Sequence, residues 1–380
     1  MGYFNRRFAA LGWDGIEQLL SAYRLAPREG AAVLRSAPAE FEAWRRADEH
    51  SPGVASAYWD RVGPYELGHS HESDELRSIC RHLRDAKRHD VVLELLWREL
   101  GSRSTTCEFA TETAESLEHW LNHLADASDV SALARPDLIE LLGVLDAHRD
   151  CIGIDRLALL ERHFHALLGH HPHFKAPNLY RGIASDPEMF VHLVELAFEP
   201  ANAEPGVEPA QDEHRQQVAL NAYNVLHGWP NGQFAPGIDD DGTLNAMQLD
   251  EWIDGARAGL TNIDRRSVGD GMIGIALAAS PPDPDGTWPA EAVRGLLERL
   301  DSDEVDNNLR IAVRNQRGVT SRSFTDGGTQ ERELAQSYRE TGRRFRAWPR
   351  TRAVFEGLAS SYEHDAGVYD REAETRRRGV

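Results

Sequence analysis

The sequence is poor in the features that announce a chemistry. No run of 18 or more apolar residues occurs, so nothing in it reads as a bilayer-spanning helix. The first residues, MGYFNRRFAALGW, lack the apolar stretch of a secretory signal. Arg6 stands where an N-myristoylation motif wants Ser or Thr. The expected location is therefore cytoplasmic, with no membrane partner. Cysteine is scarce: Cys80, Cys107 and Cys151 are widely spaced and form no CxxC pair. That argues against a zinc knuckle or a disulfide framework and for buried free thiols. No GxSxG nucleophile elbow and no Walker GxxxxGK[ST] loop occurs. With 62 Asp and Glu, no single carboxylate pair is informative. The expectation is a non-enzymatic chain with no cofactor.

What is present is a body for a large core. The chain has 380 residues, of which 41% are apolar, and a net charge of −20. That charge opposes non-specific binding to nucleic acid or anionic membrane. It is unevenly spread. Between Arg310 and Arg352 stand eleven arginines against four acids, a local +7 that leaves −27 for the remainder. A basic band on an acidic body is a candidate binding feature.

The apolar spacing is helical throughout. Ile16, Leu19, Leu20 and Tyr23 fall at i, i+3, i+4 and i+7, and the same stripe recurs in Leu76, Ile79, Cys80 and Leu83. Val91 to Leu100 is apolar enough to predict a buried helix. Pro27 and Pro38 each restart the pattern, as Pro does in a first helical turn. Leu138, Leu141, Leu142 and Leu145, then Leu157, Leu160, Phe164 and Leu167, continue it to Gly169. The proline-bearing stretch His170 to Pro177 predicts a boundary, and the Pro-rich, acidic Pro200 to Pro209 predicts a flexible loop. Ser185 and Glu188 have capping-box spacing. Val268 to Ala279 predicts a tightly packed helix despite its glycines, and Tyr369 to Val380 a fraying charged tail. No consensus repeat is read at a fixed period. The predicted fold is all-α: an irregular α-solenoid of HEAT/TPR-like helical hairpins, roughly 16 to 18 helices. It divides into an N-terminal array near 1–170 and a C-terminal domain near 177–380.

Four features compete as sites. The turns Asp239 to Gly242 and Asp283 to Gly286 resemble calcium loops, but an EF-hand needs a ligand at position 1 and Glu at position 12. Those places hold Gly237 and Gln248 in one, Pro281 and Ala292 in the other, so both are expected as turns feeding helices. His163, His165, His170, His171 and His173 cluster, with no HExxH or HxxxH pair among them. His163, His170 and His173 are weak metal candidates, and with them goes a metal-dependent hydrolase as a third functional reading. The loop from Arg314 to Glu331 is the best candidate. Gly327, Gly328 and Thr329 open a helix whose amides favour an anion, and Arg314, Arg317 and Arg322 are placed to clamp one. Ser321, Ser323 and Thr325 add hydroxyl donors. Finally, Arg343, Arg344, Arg346, Arg350 and Arg352 surround Trp348, a composition that can stack on bases.

Several stretches resemble the C-terminal helical region of large bacterial proteins, some of defence or stress character. They are YWDRVGPY, FKAPNLY, SDPEMFVHLVELAF, DPDGTWPAEAVRGLLERL, RNQRGVTSR, GGTQERELAQSYR and WPRTRAVFEGLASSYE. The resemblance implies a helical scaffold attached to a larger effector or sensor, and it implies no catalytic residue. The abrupt start fits a fragment, or a split part whose remainder is a separate protein. The primary expectation is a scaffold with a protein partner, and the alternative is a nucleic-acid or nucleotide sensor using 310–352.

Overall fold

The computed structural model describes residues 12–21, 23–37, 41–68, 71–100, 105–124, 135–169, 171, 173–202, 213–229, 234–239, 242–317 and 327–377. Among these there are twenty helices and no strand, with one isolated bridge between Ile238 and Leu244. The chain is all-helical. Its internal contacts separate it into two compact units, Met1–His163 and Phe164–Val380.

The first unit begins with α1 (12–21), α2 (Pro27–Arg35), α3 (Phe41–His50), α4 (Pro52–Trp59) and the single turn α5 (Pro64–Leu67). Proline occupies the first helical position of α2, α4 and α5, where its missing amide costs nothing. Next come α6 (Ser73–Asp85), α7 (His89–Leu100), α8 (Cys107–Leu124), α9 (Arg135–Ala147), the single turn α10 (Arg149–Ile152) and α11 (Ile154–Leu168), whose end passes into the second unit. The apolar run in α7 is inside: Val91, Val92, Leu93, Leu95 and Leu96 are all buried. Polar groups join the helices. Arg84 on α6 donates to Glu112 on α8 at 2.6 Å and to Ser116 at 3.0 Å. Burial raises the Glu112 pKa despite that arginine.

His82 is a second tie. Its ring stacks on Trp59 at 4.7 Å. Nε2 stands 3.0 Å from Asp48 Oδ2, and Nδ1 2.7 Å from the Ser78 carbonyl. The same carboxylate accepts from Trp59 Nε1 at 2.8 Å. Two ring nitrogens facing acceptors suit the imidazolium. The Asp48 hydrogen bond accordingly raises the His82 pKa, against burial. Burial pushes Asp48 up, but the bonds from His82 and Trp59 outweigh it and hold Asp48 below its ordinary value.

Cysteine departs from expectation. Cys80 is buried and free, its thiol pushed well up by burial. Cys107 and Cys151 are not free thiols; they are joined by a disulfide with Cα atoms 5.9 Å apart. Their separation of 44 residues hid the pairing, because spacing says nothing about which helix ends meet.

The second unit holds α12 (Pro177–Ser185), α13 (Pro187–Ala197), α14 (Glu213–His227), α15 (Ala246–Asn262), α16 (Arg266–Leu277), α17 (Glu291–Leu300), α18 (Asp303–Gln316), α19 (Thr329–Arg344) and α20 (Pro349–Arg377). Asp186, not Ser185, caps α13: it accepts from the Glu188 amide at 2.8 Å, while the Ser185 hydroxyl donates to the Gly182 carbonyl. Packing is largely between neighbours and next-neighbours. α13 meets α14 and α15, α15 meets α16 and α17, α16 meets α14 and α18, and α20 meets α17, α18 and α19. An aromatic cluster of Tyr180, Phe190, Trp229 and Trp252 fills the space near α12 to α15, with Phe190 and Trp252 centroids 5.1 Å apart. α16 passes so near α18 that a Cβ on Gly274 would sit 2.3 Å from the Val305 carbonyl oxygen. The tail expected to fray is helical to Arg377.

Two predictions test this packing. Gly274→Ala should destabilise by about 1–3 kcal/mol through overpacking, although Ala is the better helix former. Gly143→Ala, exposed inside α9 with nothing within 4 Å, should stabilise by about 0.5–1 kcal/mol. Denaturant midpoints with unchanged slope check both, and equal signs would contradict the close approach. For His82, a raised folded pKa means its contribution is fully present below the unfolded value of about 6.5 and is lost as pH rises through the folded value. The melting temperature should thus fall as pH rises above about 6.5, and this fall should shrink in His82→Gln. An undiminished fall in the variant would remove His82 as its source.

Candidate functional site

The candidate loop predicted from sequence joins α18 to α19, and its described ends, 314–317 and 327–331, meet groups of α19 and α20. Arg322, Ser321, Ser323 and Thr325 fall outside the described residues, as do His170 and the greater part of the predicted flexible loop 200–209. The remaining predicted residues are brought together, and each meets a group of the same chain. Arg314 donates to Asp365 of α20 at 2.6 Å. Arg317 donates to Glu331 at 3.0 Å and to Gln330 at 3.4 Å, and Glu331 is only 1% exposed. Both guanidinium groups lie over the Tyr362 ring, at 5.9 and 5.5 Å. Tyr338 stacks on the same ring at 5.6 Å, and burial raises the Tyr338 pKa.

The helix start is also filled. Gly327 has φ +59°, and a Cβ on Gly328 would lie 2.3 Å from Ala366 of α20, so the backbone can approach only as glycine. The Gly328 amide donates to Asp370 Oδ1 at 2.9 Å, and Arg332 reaches the other oxygen. The N-terminus of α19, with Thr329 its first residue, thus receives a carboxylate from α20. This contact ties α20 at Asp370 to the start of α19.

The same holds along the band. Arg339 pairs with Glu363, and Arg352 with Glu356. Arg350 reaches Asp301, Asp303 and Asp306, while Glu298 accepts from the Arg350 and Thr351 amides that open α20. Asp306 is pushed up to about 6 because burial outweighs the attraction of Arg350. Trp348 is met by Arg294 from α17, not by the arginines adjacent in sequence. That buried guanidinium lies 5.9 Å from the Trp348 ring and 5.2 Å from Phe345, and it donates to Asp283 and to the Pro289 carbonyl. Arg343 and Arg344, in the last turn of α19, and Arg346, in the turn that follows, are exposed and make no ion pair among the described residues.

A cavity of about 540 Å³ lies beside α15, α16 and the start of α18. Asp270 stands in it, 3% exposed, taking two bonds from Arg257 at 2.9 and 2.8 Å, one from Arg266 at 3.2 Å and one from the Ser302 hydroxyl at 2.9 Å. This carboxylate is held by cations and a hydroxyl, which join α15, α16 and the start of α18. Of the predicted histidines, those described meet different neighbours. His163 is exposed and bonded to the Leu159 carbonyl, His173 meets His171, and His165 is buried against Phe174 and Tyr180. Among the described residues no group of three His, Cys, Asp or Glu is placed to hold a metal ion.

Two signals stand in the sequence itself and were missed along the chain, where no dinucleotide GxGxxG was expected. Gly269, Gly271 and Gly274 form a GxGxxG string, yet it lies inside α16 with no strand before it, and its glycines face Leu260, Asn308 and Val305. It serves helix packing and not a dinucleotide. Asp-Gly-Thr recurs at 241–243 and 285–287, and Asp-Gly-Gly-Thr at 326–329, each before a helix. The first two turns share their bonds: Asp239 and Asp283 amides donate to the Thr243 and Thr287 carbonyls, both at 2.9 Å, and Gly242 and Gly286 share φ +82°. Both are turns feeding helices, and Asp283 also caps α17 through the Glu291 amide.

No protein-family model, no curated protein and no solved structure matches this chain.

Replacing Asp370 by Ala should cost about 0.5–2 kcal/mol, as loss of a helix cap does, and should speed amide exchange at Gly328. Unchanged exchange at Gly328 would mean that the carboxylate does not hold the helix start.

Proposed function

We propose that the chain is a non-catalytic helical scaffold, a solenoid of stacked hairpins in two sub-domains that binds a protein partner. Next-neighbour packing in the second unit, α13 with α15, α14 with α16, α16 with α18 and α18 with α20, supports the solenoid reading. So does the Asp-Gly-Thr turn shared before α15 and α17. In this reading the basic band joins helices, since its arginines answer carboxylates of the same unit. The observation that carries partner binding is on α14. Leu220 and Tyr223, three residues apart, are 52% and 41% exposed, flanked by exposed Gln216 and by His227 stacked on Tyr223 at 3.8 Å. An apolar row with a polar surround on a rigid helix is a common contact face. The larger role, consistent with the resemblance noted above, is that of a part or partner of a bacterial effector or sensor system in the cytoplasm.

Exposed Arg343, Arg344 and Arg346 favour a second reading, binding of nucleic acid or nucleotide at the α19–α20 turn. One experiment separates the two: capture from the native host at low and high salt, with protein and nucleic acid both read. The scaffold reading expects one stoichiometric protein at both salts and at least tenfold less of it with Leu220→Ser/Tyr223→Ser. The variant's stability should stay within about 0.5 kcal/mol, as at ordinary surface positions. Nucleic acid that is lost at high salt, and lost when the three arginines become Gln, would replace it. A turnover measured with the purified chain alone would sink the non-catalytic reading.

A further inference from the structure

We propose that Cys107–Cys151 is a reversible thiol–disulfide exchange site, with small thiols such as glutathione or a protein dithiol as its co-reactants. Three observations carry this. Both cysteines are exposed, whereas Cys80 is buried, so an external thiolate reaches this bond and not the remaining thiol. Cys107 is the first residue of the 18-residue helix α8, and Cys151 lies in the four-residue α10. The two halves of the bond therefore sit in unlike electrostatic settings. Finally, α8 is held independently of sulfur by the helix after α10: Arg156 of α11 holds Glu118 of α8 through two parallel bonds, Nε and Nη2 each to one oxygen. Breaking the disulfide frees the start of α8 from α10 while the middle of α8 stays attached.

The exchange has a direction. A thiolate stabilised by amides at a helix start is the better leaving group. An incoming thiolate RS⁻ attacks Cys151 Sγ. The bond to Cys107 breaks, and its electron pair leaves on Cys107 as a thiolate. A second RS⁻ attacks the outer sulfur of the mixed disulfide, giving RSSR and the Cys151 thiolate. The protein gains two electrons and two thiols are oxidised to one disulfide. The reverse sequence closes the bond. The segment that responds is short: the first turn of α8, α10, and Gly153, which has φ +90° and joins α10 to α11. In a reducing cytoplasm such exposed bonds are characteristically transient and sensing rather than structural.

The test uses the full chain equilibrated natively in mixtures of glutathione and glutathione disulfide, with free thiols then blocked and counted by mass after unfolding. Of the three cysteines, one should be blocked at the oxidising end, namely Cys80, and all three at the reducing end, with the change reversible. Amide exchange should quicken on reduction at 149–153 and in the first turn of α8, with the rest of the first unit unchanged. Cys107→Ser should accumulate a Cys151–glutathione adduct, and Cys151→Ser should hold less adduct on Cys107. Three blocked cysteines at every ratio, a bond that opens only after unfolding, or exchange unaltered by an opened bond would each overturn the proposal. So would equal adducts on the two single variants, which would remove the direction of attack.

Discussion

Much of the second unit hangs on one buried carboxylate. Asp270 stands in the glycine-lined helix α16, out of water, where an unpaired charge would cost several kcal/mol. It is compensated by Arg257 from α15, by Arg266 one turn back on its own helix, and by Ser302, whose hydroxyl also faces the Val305 amide that starts α18. Three helices are thereby held to one point. The spacing of those helices is set by what α16 lacks. With hydrogen at Gly269, Gly271 and Gly274, α18 and the Leu260 side chain come closer than any Cβ would allow. Removing Asp270 alone would strand two arginines, and enlarging the glycines alone would push the helices away from the carboxylate.

The same logic runs through the arginines. A band with a local charge of +7 looks like a polyanion site when read along the chain. In three dimensions six of its described arginines find acids of the same chain: Arg317 meets Glu331 inside the band, and Arg314, Arg332, Arg339, Arg350 and Arg352 meet acids outside it. Asp301, Asp303 and Asp306 precede it, and Glu356, Glu363, Asp365 and Asp370 follow it. Exposed pairs of this kind contribute little each, about 0–1 kcal/mol. Collectively they fix the register of α18, α19 and α20 around the stacked Tyr338 and Tyr362. Among the described residues, Arg343, Arg344 and Arg346, at the end of α19 and in the turn after it, stay outside this pairing.

The first unit is organised differently. It uses polar contacts between helices, the largely buried Arg84 with Glu112 and the half-buried His82 with Asp48, together with a disulfide at its surface. The predicted histidine cluster has no counterpart as a unit. His165 turns inward to aromatic neighbours while His163 bonds its own helix backbone, because positions two apart on a helix face different ways.

What was readable along the chain was local. The 3.6-residue apolar period, proline at helix starts and Asp-Gly turns depend on near neighbours, so the all-helical fold, the buried α7 and the packed glycine helix α16 were legible. The loop at Gly327 and Gly328 was legible as a helix start that favours an anion. That the anion-bearing group is Asp370 of the same chain was not, since it lies 42 residues away and nothing in spacing links them. The Cys107–Cys151 bond, the meeting of Arg294 with Trp348 and the helicity of the last turns of α20 were hidden for the same reason. Each depends on side chains crossing from one helix to another. Helix-forming preferences specify the rods; only their packing decides which rod ends and which charges meet.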